Sequence, residues 1–230
     1  MWQDRKRLIV LLVIAGLLAV VVLVARMDDS TGSMIEQARS AEKTRERLDA
    51  IDRLGRTGSD EASAALASLA EDPEPEVAAH AVQALGRRAE PRNVPTLKKV
   101  VAKDTRPRVR EAGIVALARM GMRTDPEVLA KAVTDDASPR VRATAAKWIG
   151  MLRYWQGMPA LIQGLGDPSL RVRQSAYTAV RRLWERDFLY RADDPPEKRE
   201  QRVRLIKASW EDYRSSQHYD VFKWPEENLP

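Results

Sequence analysis

Four segments of this chain align without a gap, and their register constrains the fold more than any other feature. They are Asp72-Pro-Glu-Pro-Glu-Val77-Ala78, Asp104-Thr-Arg-Pro-Arg-Val109-Arg110, Asp136-Ala-Ser-Pro-Arg-Val141-Arg142 and Asp167-Pro-Ser-Leu-Arg-Val172-Arg173, with valines 32, 32 and 31 residues apart. Four residues after each valine stands Ala81, Gly113, Ala145 or Ala176, and eight after it Leu85, Leu117, Ile149 or Val180. Positions i, i+4 and i+8 share one face of an α-helix. Each motif therefore predicts a helix with large apolar residues at its ends and a small one between, where a neighbour can approach closely. Proline two residues before the valine suits the first helical turn, where its missing N–H costs nothing. The upstream aspartate suits the turn entering the helix. Gly86 and Gly150, just past the periodic residues, predict C-terminal caps.

Shorter apolar stretches at 62–70, 94–102, 128–133 and 158–165 lie between these helices, and Thr124-Asp125-Pro126-Glu127 reads as a capping box. No stretch of useful length alternates with period two, so strands are not expected. Each unit is then helix A, a turn, helix B and a turn to the next unit. A fixed period of helix pairs predicts an all-α, right-handed solenoid of roughly four pairs. Ala50 to Gly55 matches Ala81 to Gly86 at an offset of 31, with Glu46 at the valine position. This predicts a degenerate half-repeat at the N-terminal end. The solenoid is assigned to residues 41–186, and residues 187–230 to a capping helix and tail. In that last part Asp193-Asp194-Pro195-Pro196-Glu197 reads as a helix start. Val203, Ile206, Trp210 and Tyr213 form one stripe, expected to dock on the last repeat.

The pattern D-x-x-P-x-V-R-x-x-A-x-x-A-L-G resembles the HEAT-like repeats first recognised in phycobilin lyase subunits, over about residues 45–186. The resemblance implies a fold that hosts scaffolds, adaptors, lyase subunits and nucleic-acid binders, so it says little about function. It also implies a structural ladder between units, formed by Asp104, Arg110, Asp136, Arg142, Asp167 and Arg173. Arg108, Arg140 and Arg171 precede the valines, have no acidic partner in the same register, and begin helices that line the concave face of such solenoids. They are the candidate binding residues, and an acidic partner is their expected ligand.

Leu8 to Ala25 is a run of eighteen residues without a charge. As a helix it would span ~27 Å, close to the hydrocarbon thickness of a bilayer. Arg5, Lys6 and Arg7 precede it and favour a cytoplasmic N-terminus. The expectation is a signal-anchor over residues 1–26, a juxtamembrane linker over 27–40, and a single-pass membrane protein with extracytoplasmic repeats. A cleaved signal peptide is the competing reading, but the run is long for one and Leu23-Val24-Ala25 is a poor cleavage site.

The chain holds no cysteine, which excludes disulfides, thiolate metal sites and cysteine nucleophiles. Its two histidines, His80 and His218, lie far apart, and no phosphate-binding glycine loop, nucleophile elbow or paired His-Glu motif occurs. No cofactor and no metal are expected. The formal net charge of +6 suits an anionic partner. Aromatic residues gather after Lys147, as a C-terminal core or a contact patch. These features point to a non-catalytic, membrane-tethered scaffold that binds a protein partner of unknown identity. The alternatives are binding of an anionic polymer, a polysaccharide or less favourably nucleic acid, and an accessory subunit of a lyase or other enzyme.

Overall fold

The computed structural model describes residues 30–121 and 126–216, together with Leu17. Among these residues every regular element is helical, and there is no strand. Helix α1 covers residues 30–40, α2 Thr44–Leu54, α3 Asp60–Leu69, α4 Pro75–Arg88, α5 Val94–Lys103 and α6 Pro107–Arg119. They are followed by α7 Pro126–Asp135, α8 Pro139–Met151, α9 Met158–Gly164, α10 Leu170–Trp184 and α11 Pro196–Ser215. The first ten form five A/B pairs, one more than the register predicts. The extra pair arises because residues 30–40 are helix, with Thr31, Ile35 and Ala38 buried, where a juxtamembrane linker was expected. Ile35 and Ala38 are three apart, a helical spacing masked by the polar residues around them.

The columns of the repeat are the core. Val77, Val109, Val141 and Val172 are fully buried, as are Leu85, Leu117, Ile149 and Val180. Proline opens α4, α6 and α8 in the first turn. Burial of these stripes against the partner helix and the next unit supplies the main drive to fold, at ~1.5–3 kcal/mol for each large apolar side chain.

Gly86 and Gly150 have a different role from the expected caps. Both lie inside their helices, and α4 ends instead on Ala89 in the left-handed conformation. A Cβ built on Gly86 would stand 2.5 Å from both Cα and Cβ of Ala116, and one on Gly150 2.6 Å from Cα of Ala179. These glycines therefore let consecutive B helices touch backbone to backbone. By the same register, the contact between α6 and α8 sets Ala118 opposite Trp148. That contact is less extensive than the contacts of α4 with α6 and α8 with α10 on either side of it. B helices meet one another far more extensively than A helices do, so the B row is the inner row of the stack.

The C-terminal part caps the stack in two ways. Phe188, Tyr190 and Ala192 are buried, and the Tyr190 hydroxyl donates to the Leu165 carbonyl at 2.6 Å. Helix α11 docks on α9 through Ile206 and Trp210. Trp210 and Tyr213 stack on Trp155, with ring centroids 6.5 and 5.0 Å apart, and Trp184 and Phe188 extend the cluster. Among the described residues the aromatic rings after Lys147 are thus largely interior packing.

The expected single-pass membrane placement needs correction. A membrane-crossing helix takes about 20 mostly apolar residues. Among the described residues no helix is long and apolar enough to cross a membrane, and the longest, α11, carries charges along its length. Apart from Leu17, the run at 8–25 lies outside the described residues, as do Thr124 and Asp125 of the expected capping box.

Candidate functional site

Each of the last four units carries an aspartate in the turn between helices A and B, and its carboxylate accepts the backbone N–H two residues on. Asp72 does so from Glu74, Asp104 from Arg106, Asp136 from Ser138 and Asp167 from Ser169. This holds the turn and leaves oxygen lone pairs for an arginine of the preceding unit. Arg110 donates Nε and Nη2 to the two oxygens of Asp136 at 2.7 and 2.8 Å, and Nη1 to the Asp104 carbonyl at 2.9 Å. Arg142 repeats the arrangement on Asp167 and on the Asp136 carbonyl. These are side-on bidentate pairs with little exposed surface, stronger than ordinary surface ion pairs. The hydrogen bond to Asp136 pushes the Arg110 pKa further up, and that to Asp167 does the same for Arg142.

The ladder extends beyond the residues that the motif picked out. Arg47, the residue after the degenerate valine position, pairs with Asp72 and donates to the Ala38 carbonyl at 2.9 Å. It was legible in the register, since Glu46 occupies the valine column. Ala78 leaves the next rung without its arginine, and Arg106 takes that place. Its guanidinium grips Asp104 at 3.0 and 2.8 Å and donates to the Asp72 carbonyl, the contacts an arginine at 78 would make by analogy with Arg110. Burial pushes the Asp104 carboxyl up. Hydrogen bonds from the Arg106 side chain and backbone, with the charges of Arg106 and Arg110, outweigh this and hold it below the usual carboxylate range. At the far end Arg173 pairs with no carboxylate among the described residues and donates to the carbonyls of Asp167 and Ala192, both near 2.9 Å. The C-terminal segment thereby closes the ladder.

Arg108, Arg140 and Arg171 are all exposed at the start of their helices. The expectation that they lack acidic partners needs correction for two of them. Arg108 pairs with Glu76 at 3.2 Å and Arg140 with Glu111 at 2.5 Å. The partners belong to the preceding unit, which a search within one unit does not reach. Among the described residues Arg171 makes no such pair.

Further along the B helices the inner face changes character. Arg87 is neutralised by Asp52 at 2.6 Å. Between α8 and α10 a groove of about 440 Å³ opens, lined by Lys147, Met151, Gln174, Ser175, Thr178 and Arg182 with the small residues Gly150 and Ala179 as floor. No group of three or more acidic or histidine side chains able to hold a metal exists among the described residues.

The family model described as HEAT repeats matches residues 31–118 and 126–204, well over half of the chain. The chain belongs to the HEAT-repeat family. No curated protein matches this HEAT-repeat chain in sequence. Among solved structures it is similar to the MAST/Orbit N-terminal domain, at 16% identity, covering 80% of this chain and 97% of that one with a TM-score of 0.48. It is also similar to a designed armadillo repeat protein in complex with the peptide (KR)4, at 20% identity, 82% and 93% coverage and a TM-score of 0.42. The complex of CpcE and CpcF of phycocyanin lyase from Nostoc sp. PCC7120 matches at 16% identity, 78% and 98% coverage and a TM-score of 0.37. At these identities and scores the likenesses concern the fold alone.

Proposed function

We propose that this HEAT-repeat protein is a non-catalytic scaffold that receives a protein partner on its helix-B face. One observation supports the reading above the others: on the B helices the buried columns repeat while the columns toward the surface vary from unit to unit. The buried columns repeat Val, a small residue, and Leu, Ile or Val. The columns toward the surface of the inner row instead read His80, Thr144, Ser175, with buried Ala112 in the α6 place, and Gln83, Val115, Lys147, Thr178. A solenoid can vary such residues without disturbing its stack, and so builds a specific surface on a generic core. The rival reading, an anionic polymer along Arg108, Arg140 and Arg171, is weakened because Glu76 and Glu111 neutralise two of the three arginines.

The absence of native cysteine makes the test direct. Single cysteines placed by Gln83→Cys and Thr178→Cys on the inner face, and by Lys131→Cys on α7, carry a photo-crosslinker in the full chain. The scaffold reading expects one and the same protein to be captured from both inner positions and not from residue 131. Identical capture from all three positions, or from none, refutes it.

A further inference from the structure

The groove between α8 and α10 is lined by two cations and no acidic residue. Neither helix contains an acidic residue. Arg142 and Arg173 are committed to the ladder, but Lys147 and Arg182, on opposite walls, are exposed and make no ion pair among the described residues. Elsewhere on the face Arg87, Arg108 and Arg140 already have carboxylate partners. Met151 adds a second feature. It occupies the column in which other units place Arg87, Arg119 and Arg182, and it is 44% exposed, one of few large apolar side chains so open. An apolar side chain thus stands among uncompensated cations, with Gln174, Ser175 and Thr178 beside it to hydrogen-bond a backbone.

We infer that this groove binds an extended acidic polypeptide segment, one apolar side chain resting on Met151 and flanking carboxylates meeting Lys147 and Arg182. Lys147 and Met151 are one helical turn apart, ~6 Å along the axis. Alternate side chains of an extended chain are ~7 Å apart, so an acid and an aliphatic residue two positions away match that pair. No aromatic ring lines the groove, which leaves a nucleobase without a stacking platform and favours polypeptide over nucleic acid. The inference rests on the proposal that the helix-B face receives a protein and adds the chemistry of what it receives.

The test measures fluorescence anisotropy of the full chain with a labelled Glu-Ser-Leu-Ser-Glu peptide. Its controls replace Leu by Ser or both Glu by Lys, and oligothymidylate is a fourth probe. The acidic Leu peptide is expected to bind best. Lys147→Glu with Arg182→Glu is expected to weaken it at least about tenfold through reversed charge. Met151→Ser is expected to abolish the preference for Leu over Ser, and Lys131→Glu on α7 to change nothing. All four side chains are exposed, so the variants are expected to fold. Unchanged binding by the double variant, an equal loss in Lys131→Glu, tighter binding of oligothymidylate, or no binding of the acidic peptide overturns the inference. Inner-face crosslinking together with a failed peptide test retires the acidic occupant alone, whereas crosslinking without face preference retires the scaffold itself.

Discussion

Gly150→Ala puts two opposing effects into one methyl group. Alanine is the better helix former by ~1 kcal/mol, and Gly150 lies inside α8. On an isolated helix the substitution would stabilise. Here the new Cβ would stand 2.6 Å from Cα and 2.7 Å from Cβ of Ala179, where ordinary contact begins at 3.4 Å. The helices must separate by the shortfall, about 1 Å, along their tightest line of contact. Overpacking of this kind costs ~1–3 kcal/mol, and backbone on the opposing side leaves no rotamer to relieve it. The net expectation is a loss of up to ~2 kcal/mol, or a Tm lower by up to about 6 °C for a chain of this length, read by circular dichroism. Ala179→Gly in the same chain should restore only part, since the clash with the Ala179 Cα remains. A rise in Tm on Gly150→Ala would refute the close approach and return Gly150 to the status of an ordinary helical glycine.

The ladder supplies three more expectations. Arg106→Ala should lower stability by ~1–3 kcal/mol by stranding the half-buried Asp104, and Ala78→Arg in that background should recover most of it, measured by urea denaturation. Arg142→Lys keeps the charge but not the side-on fork, and should cost ~1 kcal/mol in the same assay. Asp104 has a folded pKa below its ordinary 3.8, so the unfolded chain binds the proton first on acidification. Its contribution is present above the ordinary value and lost as pH falls through the lower folded one. Asp104→Asn should therefore flatten the acid end of the stability curve, whereas an unaltered slope there would count against the assignment.

The fold was legible because burial repeats. Val77, Val109, Val141 and Val172 recur only if the same contact recurs, and no side chain needs to be placed to see it. The helix at 30–40 was obscured because it follows an apolar run that suggests a membrane and because Ser, Thr and Gly dominate its start. The glycines were misread for a related reason: sequence shows that Gly86 and Gly150 stand near a helix end, but not that another backbone lies against them. Partners across units were the hardest to read. Arg108 and Glu76 belong to different turns of the stack, and Arg106 leaves its own column to fill the gap at Ala78. Such substitutions conserve a contact in space while breaking it in register.

Trp148 gives the stack a crease. A row of equivalent units flexes evenly, as a uniform rod does, but between the tight Gly86–Ala116 and Gly150–Ala179 seams lies the α6–α8 contact, where the repeat register puts Trp148 in the alanine column. Between those two seams, compliance concentrates at the thinner α6–α8 contact. Bending between α4 and α10 is therefore expected at that contact, while the close Gly150–Ala179 approach holds the two walls of the α8–α10 groove together as one plate.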